Sequence, residues 1–208
     1  MPVPFEMPEG APPIIPVVVI DEAEKGPALA RALLKGGIQA IEVTLRTPAA
    51  AEAIALIAKE VPEICLGAGT VITPDDVQRV RAAGVDFMVS PGCTPRLHNA
   101  AEASGLPFLA GAVTASEAMA MQELGYTRLK YFPADANGGV AGLKSLGGPL
   151  PGLSFCPTGG VGAKNAAEYL SATNCFAVGG SWLAPADAIR SGDWKRVENL
   201  AREASSLV

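Results

Sequence analysis

Eight short apolar runs recur along this chain, at 15–20, 40–45, 64–70, 87–91, 108–112, 128–133, 153–157 and 176–180, with starts 20 to 25 residues apart. Between them lie stretches rich in Ala, Leu and Glu at helical spacing, at 24–35, 49–59, 74–83, 95–103, 115–124 and 163–170. One more helix is expected at 193–205. Strands that alternate with helices pair in parallel, because each crossover helix carries the chain back to the same end of the sheet. An open doubly wound sheet satisfies that rule, and so does a closed barrel. The even spacing and the strand count favour a (β/α)8 TIM barrel, an α/β fold near its lower size limit at 208 residues. The whole chain, 1–208, is expected to be this single barrel domain, with the Pro-rich residues 1–13 as an arm that caps the barrel bottom or lies loose.

Local punctuation supports the alternation. Thr47-Pro48, Thr73-Pro74 and Thr94-Pro95 each place a capping hydroxyl before a proline at the first helical position. Gly36-Gly37, Gly84, Gly105 and Gly125 follow helical runs as stop signals.

Composition excludes several functions. With 49% hydrophobic and 18% charged residues the chain is globular rather than disordered, and a net charge of −5 argues against a nucleic-acid-binding surface. The longest early apolar run, 14–20, contains Pro16 and is too short to span a membrane, and the N-terminus lacks a basic leader region. A cytoplasmic location follows as the expectation. Cys65, Cys93, Cys156 and Cys175 show no metal-ligand spacing and read as reduced core residues. A zinc site built on two or three histidines is impossible within one chain, because His98 is the only histidine; its place near a helix start reads as a surface position. No metal is therefore expected.

Catalytic groups of such barrels stand at the C-terminal ends of the strands. The sixth run, Arg128-Leu129-Lys130-Tyr131-Phe132-Pro133, holds a lysine on the strand face opposite Leu129 and Tyr131. Burial there disfavours the ammonium and favours the neutral amine, the form that attacks a carbonyl. A lysine that snorkels to the strand end is the competing reading. On the second strand Glu42, Thr44 and Arg46 share a face, and since the helix side of a barrel is apolar that face points inward. A proton shuttle (Glu42) and an anion clamp (Arg46) fit there, as does a plain ion pair between the two. The third strand ends in Gly67-Ala68-Gly69-Thr70, small residues below a hydroxyl, and the fourth in Ser90-Pro91-Gly92, a sharp turn. Thr158-Gly159-Gly160 and Gly179-Gly180-Ser181 close strands seven and eight, where glycine turns let backbone N–H groups approach a phosphate. An amine nucleophile, a carboxylate, an arginine and a phosphate cradle suit aldol cleavage of a phosphorylated 2-oxo acid.

These segments, together with Lys130-Tyr-Phe-Pro-Ala-Asp-Ala-Asn-Gly-Gly139, Phe155-Cys-Pro-Thr158 and Trp182-Leu183, resemble the 2-dehydro-3-deoxy-6-phosphogluconate (KDPG) aldolase family from about Ile15 to the C-terminus. The resemblance implies a bacterial class I lyase of the Entner–Doudoroff route, also active on 4-hydroxy-2-oxoglutarate (KHG), and a homotrimer of metal-free barrels. It implies that Lys130 forms the Schiff base and Glu42 moves protons. Arg46 and Thr70 would hold the pyruvate end beside Pro91; Thr158, Gly159, Gly160, Gly180 and Ser181 would surround the sugar chain and phosphate. Competing readings are the galactonate epimer or KHG as the main substrate, and a binder of 2-oxo acids without catalysis. Such a binder has no need of an amine nucleophile.

Overall fold

The computed structural model describes residues 2–207. Eight strands, β1 (Ile14–Val18), β2 (Ala40–Thr44), β3 (Cys65–Gly69), β4 (Phe87–Val89), β5 (Phe108–Gly111), β6 (Arg128–Tyr131), β7 (Ser154–Pro157) and β8 (Val178–Gly180), form one parallel sheet. Neighbours run in chain order and β1 pairs with β8. Bridges Phe155↔Cys175 and Thr158↔Gly179 join the two remaining edges, so the sheet curls into the expected barrel. The helices are α1 (Gly26–Lys35), α2 (Ala50–Glu60), α3 (Pro74–Ala83), α4 (Pro95–Ser104), α5 (Ala115–Glu123), α6 (Gly139–Gly147), α7 (Ala166–Leu170), α8 (Ala186–Ser191) and α9 (Trp194–Ser205).

Strand alternation divides the apolar side chains into two cores. Ile41, Val43, Met88, Leu129, Tyr131 and Phe155 belong to the large core between strands and helices. Ile15, Phe87, Val89, Leu109 and Cys156 form a smaller cluster inside the barrel, and Phe5 of the N-terminal arm joins it from below. The arm is thus seated against the lower mouth rather than loose.

Three local expectations change. Thr73 and Thr94 do cap their helices, accepting from the N–H groups of Asp76 and Leu97. The Thr47 hydroxyl instead donates to the Ile20 carbonyl, tying the top of β2 to the chain after β1, and Ala49 stands at the start of α2. Helix α6 was not legible among its glycines, which are poor helix formers. Gly142 is required, because a Cβ there would collide with the Asn137 carbonyl and the Tyr131 hydroxyl beneath the helix. His98 is buried rather than superficial: its Nδ1 lies 3.0 Å from the Tyr126 hydroxyl, and the two rings pack edge to face. Burial with a hydrogen-bond partner is the ordinary way to satisfy an interior imidazole.

Candidate active site

Lys130 and Glu42 point into the barrel and are 4% and 3% exposed. The Lys130 Nζ lies 3.2 Å from Glu42 Oε1 and 3.4 Å from Oε2, although the two residues stand 88 positions apart in the chain. The carboxylate reaches the amine because Gly69, on the neighbouring strand, has no side chain; a Cβ there would overlap the Glu42 carboxyl group. Taking two charges out of water costs several kcal/mol per ion, so such a pair is a poor device for stability alone. Its proximity suits proton transfer, since the contact spans one hydrogen bond.

Two further groups border the pair. Cys156 is the register partner of Lys130 on β7. Burial raises its thiol well above the usual range, so the sulfur beside the amine stays protonated and is not a competing nucleophile. The Phe132 ring lies 5.4 Å from Lys130 Nζ, over the amine. Phe132 falls within the sixth apolar run of the sequence but outside strand β6. The chain leaves the sheet at this residue, ahead of a cis Phe132–Pro133 bond, and the ring turns to the strand ends. An aromatic directly after an inward lysine was the one signal available.

Arg46 does not pair with Glu42; the ion-pair alternative fails because Lys130 takes the carboxylate. Arg46 instead donates from Nε to the Thr70 hydroxyl at 3.1 Å. Thr70 has φ 60°, a left-handed conformation that is unfavourable for a β-branched residue. Such strain persists where the surroundings hold it, and here it brings a hydroxyl to the guanidinium above the buried pair.

Over the strand ends lies a cavity of about 220 Å³, lined among others by Arg46, Phe132, Thr158, Gly160, Gly180 and Ser181. Gly159 and Gly160 have φ 91° and 82°, conformations that glycine adopts freely and other residues resist. Gly179 leaves room for the Thr158 side chain at the bridge that closes the barrel. Gly180 leaves room for the Trp182 ring. The glycines therefore serve packing as well as any close approach to an anion. Of the expected site residues, Arg46, Thr158, Gly159, Gly160, Gly180 and Ser181 meet at this cavity; Lys130 and Glu42 do not line it, and Phe132, which does, stands 5.4 Å from the Lys130 amine. Pro91 lies apart, in a neighbouring cavity of about 170 Å³ that shares the Phe132 wall.

Among the described residues, no group of three or more His, Cys, Asp or Glu side chains is placed to hold a metal, and no helix is long and apolar enough to cross a membrane.

A family model described as KDPG and KHG aldolase matches residues 9–200. The 2-dehydro-3-deoxy-phosphogluconate aldolase of Dickeya dadantii is 48% identical over 192 residues, which cover 92% of this chain and 90% of that protein. Among solved structures, the KDPG aldolase of Legionella pneumophila, with pyruvate captured at low pH as a covalent carbinolamine intermediate, is similar with a TM-score of 0.90 at 45% identity; the match covers 92% of this chain and 93% of that one. The corresponding aldolase of Zymomonas mobilis ZM4, solved with 3-phosphoglycerate, gives a TM-score of 0.88 at 41% identity over 95% and 92% of the two chains.

Proposed function

This chain belongs to the KDPG and KHG aldolase family, and from that premise we propose that it cleaves 2-dehydro-3-deoxy-6-phosphogluconate to pyruvate and glyceraldehyde 3-phosphate through a Schiff base on Lys130. It is a carbon–carbon lyase. The observation that carries the reading is the buried contact of 3.2 Å between Lys130 and Glu42 beneath a cavity at the strand ends.

The mechanism follows from that geometry. Transfer of the ammonium proton to Glu42 frees the Lys130 lone pair, which attacks C2 of the 2-oxo acid. Arg46, with the Thr70 hydroxyl beside it, holds the substrate carboxylate as a charge-assisted clamp. Glu42 returns its proton as the carbinolamine loses water, leaving an iminium. Glu42, directly or through water, then takes the C4 hydroxyl proton. The C3–C4 bond breaks, its electrons pass into the iminium to give an enamine, and glyceraldehyde 3-phosphate leaves. Protonation at C3 and hydrolysis release pyruvate and restore the amine. Phe132 packs its ring face against the amine, 5.4 Å from Nζ.

The phosphate is assigned to the Thr158–Ser181 side of the cavity. Neither glycine turn contains a lysine or arginine, so backbone N–H groups and the Ser181 hydroxyl are the donors there. Substitution of Gly160 is a poor test, since a Cβ would collide with Asp135 at a positive φ. Ser181→Asp places a carboxylate at the exposed rim instead. We expect it to raise KM for the phosphorylated substrate about tenfold or more through like-charge repulsion. Formation of the pyruvate adduct, which has no distal anion, should be unchanged. Equal losses for both would move the phosphate site elsewhere.

The same site supports activity on 4-hydroxy-2-oxoglutarate, a substrate that the family's description includes. An assay of both epimers of the phosphorylated acid beside that C5 acid decides the order of preference. The reading also includes a metal-independent reaction: exhaustive chelation is expected to leave the rate unchanged, and loss restored by added Zn²⁺ would refute it. A homotrimer in the cytoplasm, serving the Entner–Doudoroff route, completes the proposal; sedimentation of the purified protein tests the trimer.

A further inference from the structure

The lower mouth of the barrel is closed by the N-terminal arm. Phe5 is 2% exposed, and its ring centroid lies 4.2 Å from that of Phe87 and 6.5 Å from that of Phe176. Arg128 holds the arm in place: its Nη1 donates to the Phe5 carbonyl at 2.8 Å and pairs with Glu6, and its guanidinium lies 4.9 Å from the centre of the Phe176 ring. Arg128 and Lys130 are two residues apart on β6, so they share the inward side, about 7 Å apart along the strand. The anchor of the arm and the buried amine thus belong to one face of one strand.

The apolar cluster containing Phe5 reaches the register neighbours of both members of the pair. The Phe87 ring fills the space that a side chain on Gly67 would need, and Gly67 is the β3 neighbour of Glu42. Cys156, in the same cluster, is the β7 neighbour of Lys130. The groups that face the amine are Glu42 from β2, the protonated Cys156 thiol from β7 and the Phe132 ring. Below them lie the inward apolar side chains Ile15, Phe87, Val89 and Leu109, and Phe5 closes that layer from the arm, its ring against Phe87.

We infer that Phe5 is a positioning residue for the reaction: it seals the barrel interior beneath Lys130 and Glu42 and keeps that pair out of water. The inference rests on the proposed Schiff-base role of Lys130. Its physical basis is the cost of charge separation. In an apolar interior the ion pair loses hydration, while the pair formed by neutral amine and carboxylic acid loses little, so the two forms lie closer in energy. The neutral form is the one that attacks the carbonyl. Water admitted through an open lower mouth solvates the ion pair and widens the gap, and attack slows.

The test is trapping of the pyruvate imine by cyanoborohydride, followed by mass spectrometry on the whole chain. The amplitude reports the fraction of sites able to react, and the rate constant reports the chemistry at each. For Phe5→Ala we expect a rate constant lower by about tenfold or more, with an amplitude still near one adduct per chain. Phe5→Leu, which refills the mouth with an apolar side chain, should return the rate to within about twofold of the parent. A purely structural role would lower the amplitude or the melting temperature and leave the rate constant alone, and that result overturns the inference. Equal slowing by Phe5→Leu overturns it too. Should Phe5→Ala fail to fold, Phe5→Val is read by the same criterion. Absence of an adduct on Lys130 in the unmodified protein would instead refute the proposed mechanism, so the two failures are told apart.

Discussion

Lys130→Met is expected to abolish turnover and to leave no pyruvate adduct after borohydride reduction. The amine forms the iminium that accepts the electrons in the proposed cleavage, and no neighbouring group replaces it. Cys156 stays protonated, and Lys35, Lys59, Lys144, Lys164 and Lys195 are all exposed at the surface, away from the barrel interior. Loss of a covalent nucleophile should lower kcat by a factor on the order of 10⁴ or more. The methionine fills a similar volume but leaves the Glu42 carboxylate without its cation; the carboxyl group can relieve that cost by taking up a proton. Folding should therefore survive, and far-UV circular dichroism of the variant checks it. In the unmodified protein, pyruvate with borohydride should add one adduct to the peptide bearing Lys130. An adduct mapped to Lys35, Lys144 or Lys164 would sink the assignment.

Glu42→Gln keeps the shape of the side chain and its hydrogen-bonding capacity but removes its ability to carry a proton. If Glu42 relays protons at three points in the cycle, kcat should fall by roughly 10²–10⁴. Exchange of pyruvate methyl protons with solvent, which needs iminium and enamine formation but no carbon–carbon cleavage, should fall in parallel. KM should change little, because the proposed carboxylate clamp, Arg46 with Thr70, makes its contact without Glu42. The amide leaves the buried ammonium without a counter-charge, so some loss of stability accompanies the substitution. A variant that is less stable yet turns over at a near-normal rate would show the pair to be structural.

The sequence alone determined the alternation of eight strands with helices and which residues share a strand face. Strand and helix periods, proline and glycine punctuation and the parity of a strand are local properties. They place Glu42 and Thr44 on one face of β2, with Arg46 just past its end, and Lys130 opposite Leu129 and Tyr131, and they locate the caps at Thr73 and Thr94. What parity cannot give is distance across the barrel. Glu42 faced two cations, and only the placement of β2 and β6 across the closed barrel and the space left by Gly69 decided that Lys130 receives its carboxylate while Arg46 turns to Thr70. The tertiary structure likewise placed Phe132 over the amine, Phe5 under it and Pro91 in a separate cavity. It diverted the Thr47 hydroxyl from a helix cap to a neighbouring strand end, and it buried His98 against Tyr126. Each of these outcomes depends on the closure of eight strands into a ring. That closure joins residues far apart in the chain by packing and hydrogen bonding, which no local period records.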